Sequence, residues 1–252
     1  MSAVVPSPLS VGLATVGYMG YREVAPARPL RPLVECVWRS DAHRPTHVLP
    51  DGCMDLIELN GSIVVAGPDT ASFVSNPDSV EVTGMRFHPG VLPRLLGVPA
   101  AELLNARVPL AELRPDVRGS LTDVTGQLLN GEPTKETAPW SLPQLAAVTH
   151  ALGHGAAMSD VASEIGWSTR HLQRQCANVY GYGPATLRRV LRFRRAVAML
   201  RADTSVAEAS ARAGYADQPH LHREVRALSG LPVAAVVIPA PQTDRPSYRP
   251  GP

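Results

Sequence analysis

The chain of 252 residues is poor in several things at once. Its three cysteines, Cys36, Cys53 and Cys176, cannot form a disulfide framework and point to a reducing compartment. Lysine is almost absent: Lys135 stands alone and every other basic side chain is arginine. Arginine suits bidentate contacts to base edges, although a coding bias toward GC-rich codons explains the same excess more simply. No apolar run reaches the roughly 20 residues that a membrane helix needs. The stretch 11–17 is too short for a signal peptide and lacks a basic leader, so the chain reads as cytoplasmic. There is no Gly-x-Ser-x-Gly, no phosphate-cradling glycine loop and no dinucleotide fingerprint. Nothing here suggests an enzyme or calls for a cofactor.

What the chain has is unevenly distributed. Residues 1–140 hold 11 Lys+Arg against 15 Asp+Glu, a net charge of −4. Residues 141–230 hold 11 against 6, a net charge of +5, which is the electrostatic footprint of phosphate binding. The basic part also repeats itself. Ser159 to Gly181 and Val206 to Gly230 each carry an amphipathic run that stops at a glycine followed by an aromatic, Gly166-Trp167 and then Gly214-Tyr215. A short polar turn follows, then a second run with His171, Leu172 and Arg174, matched by His220, Leu221 and Arg223.

Each copy has the form of a helix-turn-helix. Glycine ends the first helix and a capping Ser168 or Asp217 launches the second. Leu172 and Cys176, or Leu221 and Val225, lie four apart on the face toward the core. Arg170, Gln173 and Arg174 fall on the opposite face, as do Gln218, His222 and Arg223, and such side chains suit base edges and phosphates.

These features resemble the DNA-binding domain of AraC-type transcription regulators. The likeness rests on Val161-Ala162, Gly166-Trp167-Ser168, Leu172-Gln173-Arg174 and Gly181-Tyr182-Gly183-Pro184. It also rests on Arg192 to Leu200 within the joining helix Ala185–Leu200, with Met199 where the family has Leu. It covers about residues 141–236. The resemblance implies a regulator that binds double-stranded DNA, more often an activator than a repressor, with RNA polymerase as a partner. By position-for-position carry-over, Arg170, Gln173, Arg174, Gln218, His222 and Arg223 read bases. Arg188, Arg192 and Arg195 are candidates for phosphates or for a solvated face. Leu221 and Val225 stand where the family usually has Phe, and Ala235-Val236 where it has Tyr-Arg, so the second motif is expected to pack less tightly and to contact DNA more weakly. Some bacterial proteins fuse this module to a DNA-repair methyltransferase, but the Pro-Cys-His-Arg acceptor motif is lacking here.

Ahead of the basic half, residues 1–18 read as a disordered leader. Leu33–Trp38, Thr46–Leu49, Met54–Leu59, Ser62–Ala66, Ala71–Ser75 and Val80–Phe87 read as short strands, with Asn60-Gly61 as the strongest hairpin signal. After His88-Pro89-Gly90 the period turns helical, through 91–98, 100–105, 110–113 and 117–129. The expectation is a two-domain α+β protein: a β-rich barrel or sandwich with short helices over 19–129, a linker at 130–140, an all-α domain over 141–238 and a disordered tail over 239–252. The first domain is similar to the cupin-like domain that precedes this module in many bacterial regulators. His47 to Asp55, Ala66 to Thr70 and Gly84 to Gly90 carry that likeness. It implies a sensory or dimerisation role, with a small-molecule effector, a homodimer and a nucleoid-associated location as expectations. The alternative is a constitutive DNA-binding protein whose first domain only dimerises or recruits partners.

Trp38, Asp51, Cys53 and Phe87 are the candidates to line a ligand pocket. His43, His47, Asp51, Cys53, Asp55 and His88 are types that bind zinc or iron, but their spacing matches no closed ligand set. Ordinary turn capping by Asp51 or Asp55 is the simpler account. Cys53 would be a reactive thiol if His47 or Arg86 lowered its pKa; a buried small hydrophobe is the commoner role, and Cys176 is expected in the core. Trp140 is expected to pack between the domains.

Overall fold

A computed structural model describes residues 15–16, 21–40, 46–75 and 81–237. The first domain is built on two antiparallel sheets. The strands are β1 (Thr15–Val16), β2 (Tyr21–Val24), β3 (Val34–Ser40), β4 (Thr46–Val48), β5 (Met54–Leu59), β6 (Ser62–Ala66), β7 (Phe73–Ser75), β8 (Val82–Phe87) and β9 (Arg107–Pro109). Six form one sheet in the order β2-β3-β8-β5-β6-β9, and three form a second in the order β1-β4-β7. The β5–β6 hairpin turns at Asn60-Gly61, whose φ angles of 51° and 73° are both positive, as a two-residue primed turn requires.

Alternation along the strands gives the larger sheet two different faces. Met54, Leu56, Val65, Met85 and Phe87 point into a core completed by Leu92, Leu96, Leu103 and Leu128. These come from α1 (Val91–Leu96), a 3-10 turn (Ala100–Leu103) and α3 (Leu121–Leu129), while α2 (Leu110–Leu113) follows β9. Cys36, Trp38, Ile57 and Val82 lie on the other face, with Tyr21. There Gly84 leaves room for the Trp38 indole, since a Cβ would sit 2.2 Å from the ring.

The second domain is helical throughout: α4 (Leu142–Gly153), α5 (Met158–Glu164), α6 (Thr169–Tyr180), α7 (Pro184–Arg201), α8 (Val206–Ala213), α9 (Gln218–Ser229) and α10 (Val233–Val237). The helix starts are capped by the residues the sequence points to. Ser168 Oγ accepts from His171 N at 3.2 Å, and Asp217 Oδ1 accepts from His220 N at 2.6 Å. Helix α7 belongs to two cores: Leu187 and Val190 join the core shared by the first domain, α4, α5 and α6. Phe193, Ala196, Val197 and Leu200 join the core of α8, α9 and α10, to which Leu49 of the first domain also belongs.

Leu221 and Val225 are completely buried, with Phe193 and Tyr215 in the same core. The linker 130–140 ends in a packed residue. Trp140 is buried, stacks on Trp167 with ring centroids 5.4 Å apart, and its carbonyl accepts from Arg94 Nη1 at 2.7 Å. Trp140 does pack between the domains. Within the leader expected over 1–18, Thr15–Val16 instead pair with β4; the rest of that leader, the tail 239–252 and His43 fall outside the described residues.

Candidate nucleic-acid interface and an internal cavity

The two second helices of the repeat, α6 and α9, present matching surfaces. On α6, Leu172, Cys176, Val179 and Tyr180 are buried while Arg170, Gln173 and Arg174 are exposed. On α9, Leu221, Val225 and Leu228 are buried while Gln218, His222 and Arg223 are exposed. Of these six, only Arg174 meets another side chain, His171 Nδ1 at 3.4 Å. Arg226, one turn beyond His222 and also exposed, extends the same face; its spacing was in the sequence. Pro219 is exposed and His220 is half-buried, edge-on to Tyr215.

The arginines of α7 are neither phosphate-ready nor simply solvated. Arg188 Nη2 donates to the Ala156 carbonyl, and Arg195 donates to the carbonyls of Gly153 and Ala213. Arg189 pairs with Glu224 at 2.6 Å, and Arg192 lies 4.5 Å over the Tyr215 ring with Glu224 at 3.8 Å. These contacts brace α7 against both halves of the repeat. Arg194 goes the other way, into the first domain: it pairs with Glu35, and its Nη1 reaches the Asp51 carbonyl at 3.4 Å and Cys53 Sγ at 3.5 Å. Burial opposes the charge on Glu35, but Arg194 and Arg86 outweigh it and hold its carboxyl below the ordinary value.

Between the two sheets of the first domain lies a cavity of about 400 Å³. Trp38, Asp51 and Cys53 line it, together with Tyr21, Asp55 and Arg86. Phe87 does not: it points into the helix-lined core, on the opposite face of the sheet. Arg86 is almost wholly buried and meets three carboxylates, with Nη1 to Glu23 at 3.2 Å, Nε to Asp51 at 3.2 Å and Nε to Asp55 at 3.4 Å. Asp55 also accepts from Trp38 Nε1 at 2.9 Å. Asp51 caps its turn as expected, accepting from Cys53 N at 2.8 Å, whereas Asp55 caps no turn and belongs to this ionic cluster. Two neighbouring sequence signals were available, Asp51/Cys53/Asp55 and Gly84/Arg86, each with the period of two that shares a sheet face.

Cys53 has the setting of a buried, protonated thiol. Burial pushes its pKa well up, its carboxylate neighbours Asp51 and Glu35 add to this, and Sγ donates to Glu35 at 3.3 Å. The remaining metal candidates are otherwise engaged: His88 Nε2 lies 3.1 Å from the Arg31 carbonyl, and His47 Nδ1 lies 3.1 Å from Ser72 Oγ. Among the described residues no group of three or more such side chains is placed to hold a metal.

Burial pushes the Asp55 carboxyl up to about 6, outweighing Arg86 and the Trp38 hydrogen bond. The folded state therefore keeps a proton that the unfolded chain has released, between the ordinary value of 3.8 and about 6. This contribution is present at the acid end and is lost as pH rises through 6. The stability of the wild type relative to Asp55→Asn should accordingly fall as urea melts move from acid toward neutral pH. A difference that grows with pH would show that Arg86, not burial, dominates the site.

Residues 161–236 match the family model described as "Helix-turn-helix domain", and residues 22–109 match "Domain of unknown function (DUF6597)". Among curated proteins none matches the chain significantly. Among solved structures the chain is similar to ToxT from Vibrio cholerae, at 8% identity over 85% of this chain and 96% of that one, with a TM-score of 0.44. It is similar to ToxT bound to (E)-4-(8-methylnaphthalen-1-yl)but-3-enoic acid at 7% identity over 86% and 100%, TM-score 0.44. For ToxT bound to an unsaturated fatty acid the values are 8% over 76% and 85%, TM-score 0.41. Among the described residues no helix is long and apolar enough to cross a membrane. A β-rich domain of unknown function over residues 22–109 thus precedes a helix-turn-helix domain over residues 161–236.

Proposed function

We propose that α6 and α9 read two successive major-groove segments on one face of DNA, about one helical turn (~34 Å) apart, and that a small molecule in the first domain governs how well they do so. Arg170, Gln173 and Arg174 contact bases in one half of the site, and Gln218, His222 and Arg223 in the other, with Arg226 beside them. Arginine pairs with guanine and glutamine with adenine through the edges they expose in the major groove. The observation that carries this reading is the pairing of two capped helices with the same buried face and the same outward Arg/Gln/His set, almost all of it without partners inside the chain. The cavity supports the effector half, because Asp51 and Cys53 on its wall touch Arg194 on the helix that joins the two motifs. The regulatory output on this reading is activation, through contact with RNA polymerase.

Selection of bound sequences from a random DNA pool by the full chain, at two salt concentrations, tests it. Two preferred segments about ten base pairs apart, retained at the higher salt, are expected. Binding that merely collapses with salt would mean phosphate attraction alone. On the selected site Arg174→Ala should cost about 1–3 kcal/mol and relax preference at one position. An equal loss on random DNA would make Arg174 a phosphate contact instead.

A further inference from the structure

We propose that the cavity between the two sheets takes a small monocationic ligand, a protonated amine or amidine on a compact apolar body, which seats its charge against Asp51 and Asp55 beside Trp38 and Tyr21. This rests on the reading of the cavity as an effector site and adds the sign and class of the effector.

The charges make the case. Glu23, Asp51 and Asp55 meet the Arg86 guanidinium, and Arg201 also acts electrostatically on Glu23, so the cluster holds one carboxylate more than cations. Among the described residues the other nearby cations have partners of their own. Arg107, which also lines the cavity, is held bidentately by Asp69 at 3.0 and 2.6 Å, and Arg194 is held by Glu35. An anionic ligand would bring a fourth carboxylate to a guanidinium whose Nη1, Nη2 and Nε are already engaged with Glu23, Asp55 and Asp51. A cationic one would meet acceptors: each ionised carboxylate has about four lone-pair sites, and Asp51 and Asp55 each use only some of them.

The rings point the same way. Tyr21 and Trp38 both line the cavity with centroids 5.8 Å apart, and an indole or phenol face attracts a cation within about 6 Å of its centre. Away from this polar end the lining carries Ile57, Leu59, Val64 and Val82, with the self-paired Asp69 and Arg107 among them. The volume, about 400 Å³, lies at the small end of the range for ligand pockets, roughly 300–1,000 Å³.

The test is calorimetric titration of the full chain with three cation–acid pairs of like skeleton: phenethylamine and 3-phenylpropanoate, cyclohexylmethylamine and cyclohexylacetate, benzamidine and benzoate. At least one cation should bind at least tenfold more tightly than its acid partner. Asp55→Asn should weaken that binding at least tenfold. Val64→Trp, which fills the apolar end and leaves every charge in place, should abolish it in a variant that still melts cooperatively. Acids binding as tightly as cations, no cation binding at all, or binding that survives Val64→Trp would each overturn the proposal. Its failure is separable from that of the regulator reading. DNA binding that responds to a carboxylate would sink the cation and keep the effector site, whereas a cation that binds without changing DNA affinity would do the reverse.

Discussion

Replacing Arg194 by methionine should destabilise the chain by about 3–5 kcal/mol in urea denaturation, because it leaves a buried carboxylate without its partner. Glu35 is that carboxylate. Arg194 offsets its burial, and Cys53 Sγ and the Asp51 carbonyl take further contacts from the same guanidinium. Removing one partner is far more costly than removing both, so Glu35→Gln in the Arg194→Met background should restore much of the loss. Arg194 lies on α7 and Glu35 on β3, and the pair spans the two domains. Its loss should therefore also split one cooperative transition into two. A cost near that of an exposed pair, under about 1 kcal/mol, would mean that water reaches Glu35 in solution.

Arg86→Met should be of similar size and have its own pH signature. Asp51 and Asp55 on the cavity wall, together with Glu23, would then lose the guanidinium they share. Each would take up a proton more readily in the folded state than in the unfolded one, so the variant should become more stable as pH falls from 7.5 toward 5. Denaturation midpoints at the two pH values read this directly. A variant as sensitive to acid as the wild type would show that the carboxylates are hydrated, and the charge surplus behind the cationic ligand would lose its physical basis.

The C-terminal half was largely legible because its signals are local. Gly166-Trp167 and Gly214-Tyr215, the caps Ser168 and Asp217, and the four-residue spacing of Leu172/Cys176 and Leu221/Val225 each act within one or two helical turns. All appear in the structure where the sequence places them. The strands Met54–Leu59 and Ser62–Ala66 were equally local, fixed by alternation and an Asn-Gly turn. The arginines were not legible. Arg192, Arg194 and Arg195 are neighbours of one type on one helix, yet one sits on an aromatic ring, one on a carboxylate 159 positions away and one on two helix-end carbonyls. Nothing within a helical turn distinguishes them. The cavity was half legible: Trp38, Asp51 and Cys53 line it, but the role of Arg86 depends on three carboxylates from separate parts of the sheet.

Helices α6 and α9 are also fastened to the first domain. At the end of α6, Gly181 has φ +83°, and a side chain there would stand 2.5 Å from Pro68. Near the end of α9, the Leu228 carbonyl accepts from Ser72 N at 2.7 Å. Helix α7, braced by Arg188, Arg192 and Arg195, holds the two motifs at one separation. Such a protein is a caliper set to one opening. Each base pair added between its half-sites turns one of them by roughly 35° about the duplex axis, since a turn holds 10–10.5 pairs, and a locked caliper cannot follow. On the proposed reading, the phase of the operator, as much as its letters, becomes what such a protein recognises.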